Sequence, residues 1–152
     1  MWRSILGIVA GFFLGGIVAL LIELPGMILH PLPPGTDMSD MEAIKNHIAN
    51  APLWAVAAVA VAWIVAPFAA AWLAVVIARR APVVHGIIIG ALFFAADMSN
   101  VFSFPHPTWL VAIGAVAPFV SGWFGARVAS RMFPPVNIGR QPYDMRERNM
   151  AC

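Results

Sequence analysis

Asp97 interrupts a stretch of chain that otherwise carries no charge over 81–96 and none over 98–126. An isolated ionised aspartate at the centre of a bilayer costs about 2.5–3.5 kcal/mol or more, so Asp97 must face a protein interior, carry a proton or have a partner. Asn100 lies three positions on and therefore shares a helical face with it. Glu23 closes a second uncharged stretch, 4–22, and His30, His47 and His106 fall in the segments between apolar runs. These residue types suit three kinds of site. Asp97 and Glu23, with Asn100 and His106, could pass a proton or a small cation, because a carboxylate in a low-dielectric interior can exchange a proton or hold a positive charge. His30, His106, His47 and Glu23 could instead hold a transition metal such as zinc, and Met27, Met38, Met41 and Met98 would add thioethers suited to copper(I). No His-x-x-x-His or cysteine pair supports that set, and no other cofactor is implied. In the third reading Asp97 is a packing group, bonded to Asn100 or to a backbone carbonyl freed by proline.

The elements that must position these residues follow from composition. Of 152 residues, 61% are hydrophobic and only 11% are charged, against about 25% charged in an average soluble domain. The mean hydropathy is +0.84. Disorder is excluded by this composition, and a disulfide scaffold by the single cysteine, Cys152. An integral membrane protein remains. Crossing about 30 Å of hydrocarbon takes roughly 20 helical residues. The uncharged runs predict an all-α bundle of four transmembrane helices at 4–24, 52–78, 83–104 and 108–130, with an outer loop over 25–51 and a cytoplasmic tail over 132–152. On this reading Asp97 lies roughly 10–13 Å from the outer end of its helix, and Glu23 ends the first span at the same level. His85, beside Arg79 and Arg80, is expected at the membrane interface.

Lys and Arg set the orientation. Arg3, Arg79, Arg80, Arg127, Arg131, Arg140, Arg146 and Arg148 fall on one side, and Lys45 alone falls on the other. The positive-inside rule then places both termini in the cytoplasm. The sequence pI near 9.3 reflects juxtamembrane arginine that favours anionic lipid, not nucleic-acid binding. Within the outer loop, Ser39-Asp40-Met41-Glu42 reads as a capping box with Ser39 at the N-cap. The short amphipathic helix it opens is expected on the membrane surface or across the mouth of the bundle.

Two features concern packing. Gly7, Gly11 and Gly15 recur every fourth residue, and Gly86 and Gly90 form a shorter stripe. Such stripes let helices approach closely, within the bundle or against a second copy. Ala66-Pro67-Phe68, Trp72 and Arg80 recur as Ala117-Pro118-Phe119, Trp123 and Arg131 at a constant offset of 51. The chain thus reads as two repeated helical hairpins. Pro67 and Pro118 have no N–H for the carbonyls of Trp63 and Gly114, and kinks there would widen the bundle on one side.

The four-span layout, His30-Pro31 with Pro33-Pro34-Gly35, Arg79-Arg80 with Pro82 and His85, and His106-Pro107 with Trp109 resemble a family of small, uncharacterised bacterial four-span integral membrane proteins. The similarity would cover roughly residues 3–131. It implies a bacterial cytoplasmic membrane and brings no assigned activity. No phosphate-binding loop or catalytic motif is present. The expectation is a non-enzymatic structural or accessory subunit or a homo-oligomer in the lipid bilayer. A small oligomeric proton or cation carrier using Asp97 and Glu23 is the alternative, and a metal-binding membrane protein the second.

Overall fold

The computed structural model describes residues 2–37 and 39–134. Arg140, Arg146, Arg148, Cys152, Met38 and most of the expected tail lie outside the described residues. The described chain is all-helical: α1 (Trp2–Leu29), α2 (Met41–Ala49), α3 (Leu53–Ala78), α4 (Pro82–Ser103) and α5 (Thr108–Met132). All but α2 are long and apolar enough to cross a membrane.

The central helix is α3. It packs along α1 on one side and α5 on the other, while α4 lies mainly against α5. The α1–α4 contact is the slightest in the bundle. The reason for α3's place is its composition. Ala62, Ala66, Ala70, Ala71 and Ala74 are all buried, and the last four join Val75, Ile89, Phe93, Ala126 and Ala129 in one core. Lipid is as apolar as leucine, so helices in it associate through close van der Waals packing rather than hydrophobic transfer, and small residues permit that approach.

The glycine stripes supply the other half of each seam. A Cβ at Gly7 would stand 2.6 Å from the Ala74 carbonyl oxygen, one at Gly15 2.9 Å from that of Ala66, and one at Gly11 would collide with that of Ala70. The α1 stripe thus lies antiparallel on the backbone of α3. Gly86 meets the Gly122 carbonyl, and Gly90 that of Pro118, in the α4–α5 seam. Both stripes are used inside the bundle.

Each connection has a local cause. Pro52 and Pro107 cap α3 and α5 in nearly the same extended conformation, at φ −64, ψ 149 and φ −65, ψ 146, because the ring fixes φ and prevents helix continuing backward. In the loop between α1 and α2, Thr36 N–H donates to the Pro33 carbonyl at 3.1 Å. Gly35 at φ +82 then makes a Pro-Gly turn of the type that needs a left-handed third residue. At the opposite end Arg79 and Ala81 are both left-handed, at φ 51 and 42, and reverse the chain between α3 and α4. Arg3 Nε donates to the Ile77 carbonyl at 3.1 Å and Arg80 Nε to Ser4 Oγ at 2.8 Å. These bonds tie the start of α1 to the end of α3, and Arg3 satisfies a carbonyl of α3's last turn.

Two expectations need correction. The first helix does not stop at residue 24; it continues through Pro25 to Leu29, 28 residues in all. Proline lacks a donor, but its ring leaves the following residues free to stay helical. At 1.5 Å per residue α1 is roughly 42 Å long, so Glu23 lies inside it rather than at its end. The start of α2 is not a capping box. Asp40 is the N-cap, and its carboxylate accepts from the Glu42 and Ala43 N–H groups at 3.1 and 3.0 Å. Ser39 turns back instead, donating through its N–H and Oγ to Asp37 Oδ1, both at 2.8 Å. His85, in the first turn of α4, is enclosed by protein at 3% exposure and held by a 2.9 Å bond from Nδ1 to the Ala81 carbonyl.

Candidate functional site

The two carboxylates come together. Asp97 on α4 is 5% exposed, and its Oδ2 is buried without a hydrogen-bond partner. It lines a cavity of about 230 Å³ with Glu23 of α1 and Asn100. The remaining walls are apolar or aromatic: Phe12 and Phe93, whose ring centroids are 5.3 Å apart, Trp63 of α3, and glycine and alanine. Ala62, Trp63 and Ala66 border the cavity, which places it against the turn of α3 that ends at Pro67. The packing-group reading required a bond from Asp97 to Asn100 or to a freed carbonyl; the unpartnered Oδ2 offers no support for it at that atom.

A second cavity, of about 210 Å³, lies nearer the α2 end and shares Glu23 with the first. His30, His47 and His106 line it, with Ile48 of α2 and Val56, Val59 and Leu110. His47 and Ile48 of the short helix thus border this end of the bundle. The helix is attached through a histidine pair. The rings of His30 and His47 are stacked at 4.2 Å with planes 12° apart, and His47 Nε2 donates to the His30 carbonyl at 3.2 Å. His30 Nε2 is buried without a partner. His106 is oriented by a 2.8 Å bond from Nδ1 to the Phe104 carbonyl.

Of the four proton or cation candidates, Glu23, Asp97 and Asn100 thus share one cavity, while His106 lies in the adjoining one. The metal candidates His30, His47, His106 and Glu23 line a common space. Among the described residues, however, no three histidine, cysteine or acidic side chains are placed to hold an ion. The stacked pair explains why: parallel rings present faces to each other, not two nitrogens to one point.

Sequence reasoning missed Trp63. It is 4% exposed and lines the Asp97 cavity. Gly114 makes room for it, since a Cβ there would stand 2.6 Å from the indole. A signal was present. Trp63 is the single aromatic residue among the buried residues of α3, which are otherwise alanines with Pro67 and Val75.

Comparison of the chain with models of protein families, with curated proteins and with solved structures finds no match.

Proposed function

We propose that the protein is an integral membrane protein that carries protons or a small cation through Asp97 and Glu23. The observation that carries this reading is the buried, unpartnered Oδ2 of Asp97 in a cavity it shares with a second carboxylate. A buried polar group without a partner costs about 1–3 kcal/mol. A purely structural protein gains nothing by keeping it, whereas a carrier needs a group left free to take up cargo. Glu23 lines both cavities and so stands between the outer mouth and Asp97. Proteoliposomes test the reading. Wild-type protein should dissipate an imposed proton or cation gradient and Asp97→Asn should not; equal flux in the two would end it.

The setting belongs to the same proposal. Arg3, Arg79, Arg80, Arg127 and Arg131 at one end of the helices argue for cytoplasmic termini. The resemblance argues for a bacterial cytoplasmic membrane. The twin caps Pro52 and Pro107, and a glycine seam in each hairpin, support an origin by duplication. Four helices leave little room for a complete path in one copy, so the carrier is proposed to work as a homo-oligomer. A structural or accessory subunit is the second reading. It is favoured by a broad apolar groove between α3 and α5, walled by Ile64, Phe68, Val116 and Phe124, where a further helix could lie.

A further inference from the structure

We infer that the cavity between α1, α3 and α4 binds a small organic cation, an alkylammonium rather than a metal ion or inorganic monovalent ion. This rests on the carrier reading above for what happens after binding, and names the class of cargo.

The charge comes from Asp97 and Glu23, with no lysine or arginine on the walls. Asp97 is buried, lines the space and keeps one oxygen unpartnered. A hard cation would need far more. Calcium takes 6–8 oxygen ligands and magnesium demands six in a near-ideal octahedron. Here only Glu23, Asp97 and Asn100 bring side-chain oxygens; the other walls are alanine, glycine, Phe12, Phe93 and Trp63. Those walls cannot replace the water that such an ion would lose. An alkylammonium has little to lose. Its carbon surface is satisfied by the apolar walls, and its charge by a carboxylate and by aromatic rings, the combination that recognises quaternary ammonium groups. Size narrows the class. At about 230 Å³ the space is below the ≈ 300–1,000 Å³ of pockets for drug-sized ligands, so the cation has short substituents and at most one ring.

Titration calorimetry of the purified full chain in mild detergent tests this, with tetramethylammonium, tetraethylammonium, ammonium, sodium and magnesium chlorides as probes. The expected result is saturable binding of at least one alkylammonium, with no saturable heat from sodium or magnesium. Binding should weaken by about tenfold or more in Asp97→Asn and in Glu23→Gln, while Asp97→Glu should retain it. Size-exclusion profiles and melting curves of each variant separate lost binding from lost fold. Preference for sodium or magnesium, or undiminished alkylammonium binding in both neutral variants, overturns the inference. So does absent alkylammonium binding in protein that still conducts protons through Asp97, an outcome that leaves the carrier reading standing. Binding without flux supports the inference and removes the carrier reading alone.

Discussion

The indole of Trp63 lies 5.8 Å from the imidazole of His106, with the rings tilted by 39°. Trp63 lines the cavity of Asp97 and His106 lines the outer one, so this ring pair stands where the two adjoin. Glu23 is the residue common to both. The two cavities thereby set His30, His47 and His106 in one, Asp97 in the other, and Glu23 in both.

Retention of Asp97 should be a cost to the fold. Replacing it with leucine removes an unpartnered buried oxygen and fills part of an apolar-walled cavity. Asp97→Leu is expected to be more stable than wild type by about 1–3 kcal/mol and to be inactive in flux. Thermal denaturation in detergent checks the first part. A variant that melts lower than wild type would mean that Asp97 has a structural partner.

The glycines are expected to differ sharply. At Gly11 a Cβ runs into the Ala70 carbonyl, whereas at Gly16 it meets nothing within 4 Å. Gly11→Ala should separate α1 from α3 and lower stability, and Gly11→Leu should prevent assembly of the bundle. Gly16→Ala should be neutral or stabilising, by up to about 1 kcal/mol from helix propensity. Melting curves of the two alanine variants, run together, decide it; similar losses in both would place the seam elsewhere.

The start of α2 makes a prediction about amides and acid. Asp40→Ala removes the acceptor for the Glu42 and Ala43 N–H groups, at a cost of about 1 kcal/mol. Ser39→Ala leaves both bonds in place. Hydrogen exchange at Glu42 and Ala43 should therefore speed up in the first variant only. Next to it, the bonds from Ser39 hold the Asp37 carboxyl below its ordinary value. A group whose pKa is lowered by folding stabilises above its unfolded pKa and loses that contribution as pH falls through the folded one. The 37–39 turn should thus be intact at neutral pH and loosen only below the ordinary aspartate range near 3.8. The Ser39 amide resonance followed through an acid titration reports this.

Orientation is checked with the native cysteine. In intact cells Cys152 should resist a membrane-impermeant maleimide, while a cysteine placed in the outer loop by Asn50→Cys in a Cys152→Ser background should react. The reverse pattern would invert the topology.

The four long helices were legible because hydrocarbon thickness and backbone hydrogen bonding leave few options: each expected span became one helix. The glycine stripes were legible for a similar reason, since every fourth residue falls on one face. The errors came where one local rule outranked another. Pro25 looked like an end, but proline breaks only the hydrogen bond behind it. Ser39 and Asp40 were both competent caps; the serine was taken by Asp37, two residues earlier, leaving the helix to Asp40. The site was half legible. Charge spacing pointed to Asp97 and Glu23, but α1's extra turns and the single tryptophan among alanines determine how deep they lie and what surrounds them. Those depend on which helices touch, which periodicity does not encode.

The slightest contact in the bundle, between α1 and α4, runs beside the cavity of Asp97. Gly16 of α1 and Ala96 of α4 line that cavity and are themselves exposed, on a flank that in a bilayer meets acyl chains. For the proposed organic cation this flank is a second way in, sideways, beside the one past Glu23. A solute dissolved among the lipids would meet the carboxylates without first passing beneath α2. Its effective concentration at the site would be set by how well it partitions into the membrane. Two cations with equal fit but unequal oiliness would behave as strong and weak ligands in vesicles, and as equals in a detergent that dissolves neither.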